Sequence, residues 1–347
     1  MVNPSLHTLS QTKKIKDGLE LLNLVNGEAI FVIDSNNCVI GTITDGDIRR
    51  GLLNGKTLDC SITDVMHSEF RHIRSENYSI GKIDELKEQK IGMLPVIDQE
   101  GKLIKILNLS SLRTVLPVEV LLMAGGRGER LKPLTDTVPK PMLHVGSKPI
   151  IEHNIDRLAL YGIEKIYISV KYKAEQIKDY FKDGANKGLQ IDYIDENEPL
   201  GTLGAARLIN KINTPAILVM NSDLLTNIDF EDFYRLFEES DADMVVASTP
   251  YRVDVPYGVL ETDGNKITSL KEKPSYVYFS NAGIYLIKSS LLERIPKGKF
   301  YNATDLMDEL ISDGKKVINY PIVHYWLDIG KPEDFQKAQN DIKHIKF

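Results

Sequence analysis

A glycine-rich loop that carries positive charge is the part of the sequence best suited to chemistry. It contains Gly125, Gly126 and Gly128, and Lys140 lies between two prolines ten residues after Arg130. Glycines let backbone N–H groups approach a phosphate closely because no Cβ intervenes. The prolines stiffen the segment and lower the entropy that it loses on closing. The pattern predicts a loop that wraps a nucleoside triphosphate, with Arg130 and Lys140 meeting its phosphates.

The glycine pattern alone leaves a second interpretation open, a tight turn that binds nothing. The sequence lacks the P-loop pattern GxxxxGK(S/T), and its glycines do not have the GxGxxG spacing of dinucleotide-binding loops. Arg127 and Lys132 are read equally well as solvated charges. Arg130 and Lys140, together with their neighbouring prolines, favour the phosphate-binding interpretation.

Two aspartates are candidates for binding a metal ion. Asp223 follows an apolar strand predicted at 216–220, where an unpaired buried carboxylate would be costly. Mg²⁺ would satisfy it, and the alternative is an N-cap for a helix at Phe230, which the distance along the chain disfavours. Asp328 follows the only tryptophan by two residues, and taken alone it is read as a turn residue before Gly330. Taken together, two acids can hold Mg²⁺ against triphosphate oxygens.

Three further segments have residues that could contact a ligand. Glu272 and Lys273 follow a predicted strand, although a Lys-Glu-Lys run is usually a solvated face. Asn281 begins a stretch in which Gly283 suggests close approach of backbone or ligand within a strand. The segment 199–205 leads into a predicted helix, whose N-terminus is a natural contact for an anion or a base. The alternative is that the segment only leads into the helix and contacts no ligand.

The elements that must position these residues alternate between strands and helices after residue 117. The pattern predicts strands at 118–123, 166–170, 189–194, 216–220 and 244–249, and helices at 150–161, 175–181, 205–211 and 230–237. Such alternation predicts an α/β fold with a Rossmann-like mixed, mostly parallel sheet. Ligands bind at the carboxyl ends of strands in these sheets, so the glycine-rich loop and Asp223 are expected to share one crevice.

The first 116 residues contain an internal repeat. Residues 29–43 and 93–107 each have the pattern of a short strand, a turn and a second strand, and helix-like stretches at 15–24 and 80–89 precede them. The spacing of about sixty residues indicates two copies of one unit. The sequence therefore predicts a domain at 1–116 and a second domain at 117–347.

Composition limits the class of protein. The 347 residues suffice for two or three domains, and 42% hydrophobic and 27% charged residues are typical of a soluble globular protein. The net charge of −6 argues against nucleic acid as a partner. The sequence shows neither a membrane-spanning apolar run nor a signal peptide, and its two cysteines form no metal motif. A cytoplasmic location without membrane association is the expectation.

Taken together, the segments after residue 117 resemble the sugar-1-phosphate nucleotidyltransferase family, in family order. The resemblance rests on the glycine-rich loop and on Asn221–Asp223, Glu272–Pro274, Asn281–Tyr285 and Trp326–Gly330. It implies the nucleotide-diphospho-sugar transferase fold and Mg²⁺ as cofactor. The implied reaction is attack of a sugar-1-phosphate oxygen on the α-phosphorus of a nucleoside triphosphate, with release of pyrophosphate.

The resemblance also implies roles for individual residues. Arg130 and Lys140 would contact the phosphates and stabilise the transition state, and Asp223 and Asp328 would bind Mg²⁺. Lys273 would hold the sugar phosphate. The implied contacts to the nucleotide are Leu122, Ala124, Gly125, Gly126, Gly201 and Thr202, and those to the sugar are Gly258, Glu272 and Asn281.

Two segments, Glu198–Thr202 and Trp326–Pro332, are most similar to the guanylyltransferase branch of the family, which includes mannose-1-phosphate guanylyltransferases. This similarity favours GTP, with CTP, UTP and dTTP as alternatives. The pairing with the N-terminal unit resembles guanylyltransferases that make GDP-glucosamine for legionaminic-acid-type sugars of bacterial surface glycans. It favours glucosamine-1-phosphate over mannose-1-phosphate.

Residues 1–116 resemble a tandem pair of CBS (cystathionine-β-synthase) domains, an α+β unit. Thr44 and Asp47 match the ribose-binding pattern of that family, whereas the second copy lacks the aspartate at 107–112. The resemblance implies one regulatory site for an adenine or guanine nucleotide and a homo-oligomer, a dimer or higher. The alternative is that Asp47 only caps a helix at 48–53.

Two functions follow as hypotheses. The first is an enzyme that joins a nucleoside triphosphate to a sugar-1-phosphate by positioning and electrostatics, without a covalent intermediate. The second is a non-catalytic nucleotide sensor that uses the same fold as a scaffold. The sequence favours the enzyme because every charged residue that the reaction needs is present.

Overall fold

The computed structural model describes residue 2, residues 4–75 and residues 79–345. The chain divides into two compact units. The first contains Met1–Pro117, Leu158–Glu164 and Gly184–Gln190, and the second contains Val118–Arg157, Lys165–Asp183 and Ile191–Phe347. Each unit is described by itself.

Two copies of one strand–helix–strand–strand arrangement build the first unit. Its elements are β1 (Thr8–Ser10), α1 (Ile15–Leu24), β2 (Ile30–Ile33), β3 (Val39–Ile43), α2 (Asp45–Leu53), β4 (Ile73–Arg74), α3 (Ile80–Glu88), β5 (Met93–Ile97) and β6 (Leu103–Asn108). In the first copy β1 is parallel to β2, and β2 is antiparallel to β3. In the second copy β4 is parallel to β5, and β5 is antiparallel to β6. The internal repeat predicted from the sequence is confirmed.

From Val118 onward the chain forms the elements of the second unit. They are β7 (Val118–Met123), β8 (His144–Val145), β9 (Lys148–Pro149), α4 (Ile150–Leu160), β10 (Lys165–Val170), α5 (Ala174–Phe181), β11 (Gln190–Asp195), β12 (Ala216–Asn221), β13 (Leu224–Thr226), α6 (Phe230–Glu239), β14 (Met244–Asp254), β15 (Val259–Asp263), β16 (Lys266–Lys271), β17 (Ser275–Lys288), α7 (Ala303–Ser312), β18 (Val317–Pro321), β19 (Trp326–Asp328) and α8 (Pro332–Asp341).

The central sheet has seven strands in the order β11-β10-β7-β12-β17-β14-β18. Strand β7 is parallel to β10 and β12, and β18 is parallel to β14. Strand β17 is antiparallel to both β12 and β14, which makes the sheet mixed. The predicted α/β fold with a mixed, mostly parallel sheet is confirmed. Strand β7 is apolar because both of its faces are covered, as is usual for a parallel strand in the middle of a sheet.

A small two-stranded sheet outside the central sheet brings two distant segments together. Strands β13 and β19 are antiparallel, and their register places Leu224 opposite Asp328. The backbone N–H of Ile329 donates a hydrogen bond of 3.2 Å to the carbonyl of Asp223. This pairing fixes the two aspartates beside each other at the end of β12.

The predicted helix at 205–211 is wrong. The segment forms only a short 3₁₀-helix, Gly204–Leu208, and Ile209 is already extended. The backbone N–H groups of Leu203 and Gly204 both donate to the carbonyl of Tyr301, at 3.0 Å. These tertiary hydrogen bonds hold the start of the segment in a non-helical path, so no α-helix N-terminus is available to a ligand here.

We expect Leu121→Ala to lower the free energy of unfolding by about 2–5 kcal/mol, because Leu121 is completely buried in the central strand β7. Thermal and denaturant unfolding of the purified variant measure the loss. The matched control is Leu260→Ala on β15, whose side chain is 52% exposed and should cost well under 1 kcal/mol. Equal losses for the two variants would contradict the packing described for β7.

Candidate active site

A cavity of about 910 Å³ lies at the carboxyl ends of β7, β10 and β12. Its walls come from the glycine-rich loop after β7, the turn after β10, the segment after β11 and the end of β12. The residues predicted from the sequence that line it are Ala124, Gly125, Gly126, Arg130, Lys140, Gly201, Thr202 and Asp223. The expectation that the loop and Asp223 share one crevice is confirmed.

Gly128 gives the loop the shape that lets Lys140 enter the cavity wall. Its φ of +64° lies in the left-handed region, and a Cβ at this position would be 2.8 Å from Lys140 Cβ. The hydroxyl of Thr135 donates a hydrogen bond of 2.9 Å to the carbonyl of Gly128 and fixes the turn. A side chain at 128 would therefore displace the lysine.

Lys140 is held between the two aspartates predicted to bind metal. Its side chain is 10% exposed, and Nζ donates a hydrogen bond to Asp223 Oδ2 and lies 3.6 Å from Asp328 Oδ1. Asp223 is thus an ion-pair partner of Lys140. It does not cap α6, because Asp229 does, its carboxylate accepting hydrogen bonds from the backbone N–H groups of the first turn at 3.0 and 3.1 Å.

The two aspartates have the features of a divalent-cation site. In the described part of the chain, Asp223 Oδ1 and Asp328 Oδ1 are buried and accept no hydrogen bond. A buried carboxylate oxygen without a partner is costly, and Mg²⁺ takes oxygen ligands while keeping positions for water and phosphate. No group of three or more His, Cys, Asp or Glu side chains among the described residues could hold a metal ion. The residues fit an ion held by two carboxylates and completed by a ligand.

The ionisation of Asp328 is influenced by its burial, by Asp223 and by two nearby cations. Burial raises the pKa of Asp328, the negative charge of Asp223 raises it further, and Lys140 and Arg130 oppose the shift. Arg130 is exposed on the 3₁₀-helix Glu129–Leu131, and a Cβ on Gly330 would be 3.4 Å from its Nη2. The structure therefore brings Arg130, Lys140, Asp223 and Asp328 into one cluster.

The part of the cavity where the resemblance predicts the nucleoside contains Gly201 and Thr202. Gly201 has φ +74°, and a Cβ there would lie 2.7 Å from the carbonyl of Tyr301. Thr202 is anchored beside it, its hydroxyl accepting a hydrogen bond of 2.8 Å from the backbone N–H of Ala303. Leu122 is fully buried inside β7 and does not line the cavity.

Glu196 is a cavity residue that the sequence reasoning missed. It follows β11 directly, and a Cβ on Gly125 would lie 3.2 Å from its Oε1. Its Oε1 accepts a hydrogen bond from the Ser169 hydroxyl, and its Oε2 accepts one of 3.2 Å from the backbone N–H of Leu200. Its position in the sequence could have indicated a role, because Glu196 follows the carboxyl end of a predicted strand and precedes the Pro-Leu-Gly-Thr segment.

The residues predicted to bind the sugar lie outside the cavity lining. Gly258 and Glu272 are neighbours, since a Cβ on Gly258 would be 3.2 Å from Glu272 Oε2. Lys273 is exposed and has a φ of +42°. Asn281 is exposed on β17, and its Oδ1 accepts a hydrogen bond of 2.9 Å from the backbone N–H of Gly283. None of these four lines the described cavity.

In the first unit, Thr44 and Asp47 form a helix cap. Helix α2 begins at Asp45, and Asp47 Oδ2 accepts hydrogen bonds from the Thr44 N–H at 2.8 Å and from the Thr44 hydroxyl at 2.6 Å. Asp47 Oδ1 is paired with Arg50. Both carboxylate oxygens therefore have partners, which supports the capping interpretation of these residues.

A comparison with protein families identifies the second unit. The family model described as nucleotidyl transferase matches residues 119–345. The chain belongs to the nucleotidyl transferase family. The match begins in β7 and includes every residue that lines the cavity.

Relatives of this nucleotidyl transferase differ in nucleotide and sugar. It is 32% identical to a mannose-1-phosphate guanylyltransferase of Mycobacterium tuberculosis, over 65% of this chain and 64% of that protein. It is 30% identical to a UTP–glucose-1-phosphate uridylyltransferase of Synechocystis, over 66% of each chain. The chain thus spans just under two thirds of the length of these relatives.

Solved structures also match about two thirds of the chain. The crystal structure of HddC from Yersinia pseudotuberculosis has a TM-score of 0.51 and 30% identity, covering 65% of this chain and 99% of that one. HddC complexed with GMP-PN gives a TM-score of 0.51 at 29% identity, with the same coverage. Within the described residues, no helix has the length and apolar character needed to cross a membrane.

We expect Asp328→Asn to be more stable than the wild-type chain in the presence of a chelator, by a margin that grows with pH. The folded pKa of Asp328 is raised, so the folded state binds this proton more tightly than the unfolded state. Ionisation of Asp328 lowers the free energy of unfolding of the wild-type chain. This loss is absent below the ordinary carboxyl pKa and complete above the raised pKa.

Thermal unfolding of both proteins across pH 3–8 measures this margin, and the exposed Asp263→Asn is the matched control. The margin should rise through the window above the ordinary carboxyl pKa and then become constant. A margin that falls with rising pH would show that the attraction of Lys140 and Arg130 outweighs burial.

Proposed function

We propose that the chain joins a nucleoside triphosphate to a sugar-1-phosphate, giving a nucleotide-diphosphate sugar and pyrophosphate. The observation that carries the proposal is the buried Lys140 between Asp223 and Asp328, on the wall of a cavity that the glycine-rich loop also lines. A sugar phosphate oxygen attacks the α-phosphorus, and pyrophosphate leaves with the electron pair of the broken bond. Membership of the family supports this reaction.

Catalysis in this proposal consists of positioning and charge stabilisation. The N–H groups of the glycine-rich loop bind the phosphates, and Arg130 and Lys140 face the charge that develops in the transition state. Asp223 and Asp328 would hold Mg²⁺, which when bound supplies Lewis-acid neutralisation of phosphate oxygens. With its carboxylate partners engaged by the ion, Lys140 would be able to donate to a phosphate oxygen.

We propose GTP as the nucleotide because of Glu196. Guanine presents two adjacent N–H donors, N1–H and N2–H, which one carboxylate can accept together. Uracil and thymine place a carbonyl on each side of a single N–H, and a carboxylate would repel these carbonyls. Glu196 lines the cavity beside Gly125, and each of its oxygens has a further lone pair available. The guanylyltransferase relative supports the same choice.

We propose glucosamine-1-phosphate as the sugar, with mannose-1-phosphate as the alternative. The choice rests on the combination of a nucleotidyltransferase with an N-terminal repeat unit of the CBS type. Lys273 would hold the sugar phosphate, with Gly258, Glu272 and Asn281 on the sugar. Since these four residues lie outside the cavity lining, the proposal requires the bound sugar to extend beyond the cavity.

For the first unit we propose a tandem CBS pair that binds an adenine or guanine nucleotide and regulates a homo-oligomeric enzyme. The repeated strand–helix–strand–strand topology supports the pair. Binding at Thr44 and Asp47 would have to use a carboxylate that already caps α2. A nucleotide that binds there would have to alter the ion pair between Asp47 and Arg50. Only such a nucleotide should change the rate of pyrophosphate release.

The function is tested by measuring Mg²⁺-dependent pyrophosphate release with GTP, CTP, UTP, dTTP and ATP against a panel of hexose- and aminohexose-1-phosphates. We expect release with GTP and glucosamine-1-phosphate, and none when EDTA is present. Release with another pair would keep the reaction and change the substrates. Nucleotide binding by a folded chain without release in any combination would instead favour the non-catalytic sensor.

We expect Lys140→Ala to lower kcat by roughly 10²–10³, because it removes a preorganised cation from a low-dielectric site where charge develops. Steady-state pyrophosphate release under saturating substrates measures the change, and thermal unfolding confirms that the variant folds. The exposed Lys343→Ala is the matched control and should retain full activity. Activity of Lys140→Ala within a few-fold of wild type would sink the proposed role of this lysine.

A further inference from the structure

Two positively charged side chains share one tyrosine ring at the wall of the cavity. The guanidinium carbon of Arg127 lies 5.9 Å from the centre of the Tyr172 ring, and Lys173 Nζ lies 5.4 Å from it. All three residues line the cavity. In the described part of the chain, neither cation is in an ion pair with a carboxylate. Cation–π attraction offsets part of their mutual repulsion, and a bound anion would remove the rest.

The arrangement is held by hydrogen bonds to the far side of the glycine-rich loop. The Tyr172 hydroxyl donates to the carbonyl of Thr135 at 3.0 Å and to that of Asp136 at 3.3 Å. Gln176 Nε2 donates to the carbonyl of Thr137 at 2.9 Å. The ring is thereby fixed against the loop that carries Arg127, and the two cations approach the cavity from two different elements.

Arg127 and Lys173 differ from Lys140 and Lys171, which have acid partners. Lys140 is paired with Asp223, and Lys171 Nζ lies 3.8 Å from Glu198 Oε2. Arg130 acts electrostatically on Asp328. A triphosphate carries several negative charges along its length, and in the proposed reaction Arg130 and Lys140 face those at the α-phosphorus. Charge further along the triphosphate needs a second group of cations.

We propose that Arg127 and Lys173 bind the terminal phosphates of the nucleoside triphosphate and hold the pyrophosphate as it leaves. This inference rests on the proposed nucleotidyl transfer and assigns a separate subsite to the leaving group. When the bond between the α-phosphorus and the bridging oxygen breaks, its electron pair stays on that oxygen, which becomes part of pyrophosphate. The two cations meet the charge of that product, while Arg130 and Lys140 meet the charge at the α-phosphorus.

The test compares Arg127→Ala, Lys173→Ala and the double variant with the wild-type chain. Inhibition by added inorganic pyrophosphate and the KM for the nucleoside triphosphate are measured, together with calorimetric binding of inorganic tripolyphosphate. We expect each single variant to raise three constants by about tenfold: the inhibition constant of pyrophosphate, the KM for the nucleoside triphosphate and the Kd for tripolyphosphate. The KM for the sugar-1-phosphate should change less than about twofold. The charge-conserving Arg127→Lys and Lys173→Arg should recover most of the loss.

The matched control is Lys315→Ala, an exposed lysine of the same unit that does not line the cavity, which should leave every value unchanged. Wild-type pyrophosphate inhibition and tripolyphosphate binding in both alanine variants would overturn the proposal. A wild-type chain that releases no pyrophosphate would refute the proposed function instead. In that case the tripolyphosphate titration still decides whether the two cations form an anion site.

Discussion

The ion-pair cluster of one lysine and two aspartates is the constraint on which the rest of the active site depends. Lys140 is removed from water, and a buried charge is tolerated only where partners of opposite charge are held in place. Its two partners belong to different segments, the end of β12 and the end of β19, and the lysine itself follows the glycine-rich loop. Gly128, the β13–β19 pairing and the buried strand β7 are the features that bring the three segments to one point.

Lys140 and Arg130 do not fully satisfy the two buried aspartates, and this connects structure to function. The pKa of Asp328 is raised by burial and by Asp223, and each aspartate has a buried oxygen without a hydrogen-bond donor. A divalent cation would correct both defects and release Lys140 toward a phosphate. Arg127 and Lys173 also line the cavity, and in the described part of the chain they carry positive charge without an acid partner. A magnesium–triphosphate complex would satisfy both groups at once.

The sequence was a good guide to the elements and to the signature residues. The strand at 118–123 is observed with the predicted bounds, because an apolar run between turn residues has few other solutions. The internal repeat was equally visible, since both copies carry the same strand–turn–strand pattern. What the sequence could not show is long-range pairing. Asp328 looked like a turn residue because its partner strand, Leu224–Thr226, lies about a hundred residues earlier. The helix predicted at 205–211 failed for the same reason, since the carbonyl of Tyr301 accepts the N–H groups of Leu203 and Gly204 just before it.

The central claim is that Asp223 and Asp328 hold a metal ion that completes the triphosphate site. The most direct measurement is calorimetric titration of Mn²⁺ into the wild-type chain and into Asp223→Asn, each saturated with a non-hydrolysable α,β-methylene GTP analogue. We expect Mn²⁺ to bind the wild-type complex, and the asparagine variant to bind it at least about tenfold more weakly while keeping its fold. Equal Mn²⁺ affinity in the two proteins would show that Asp223 is not a ligand of the ion.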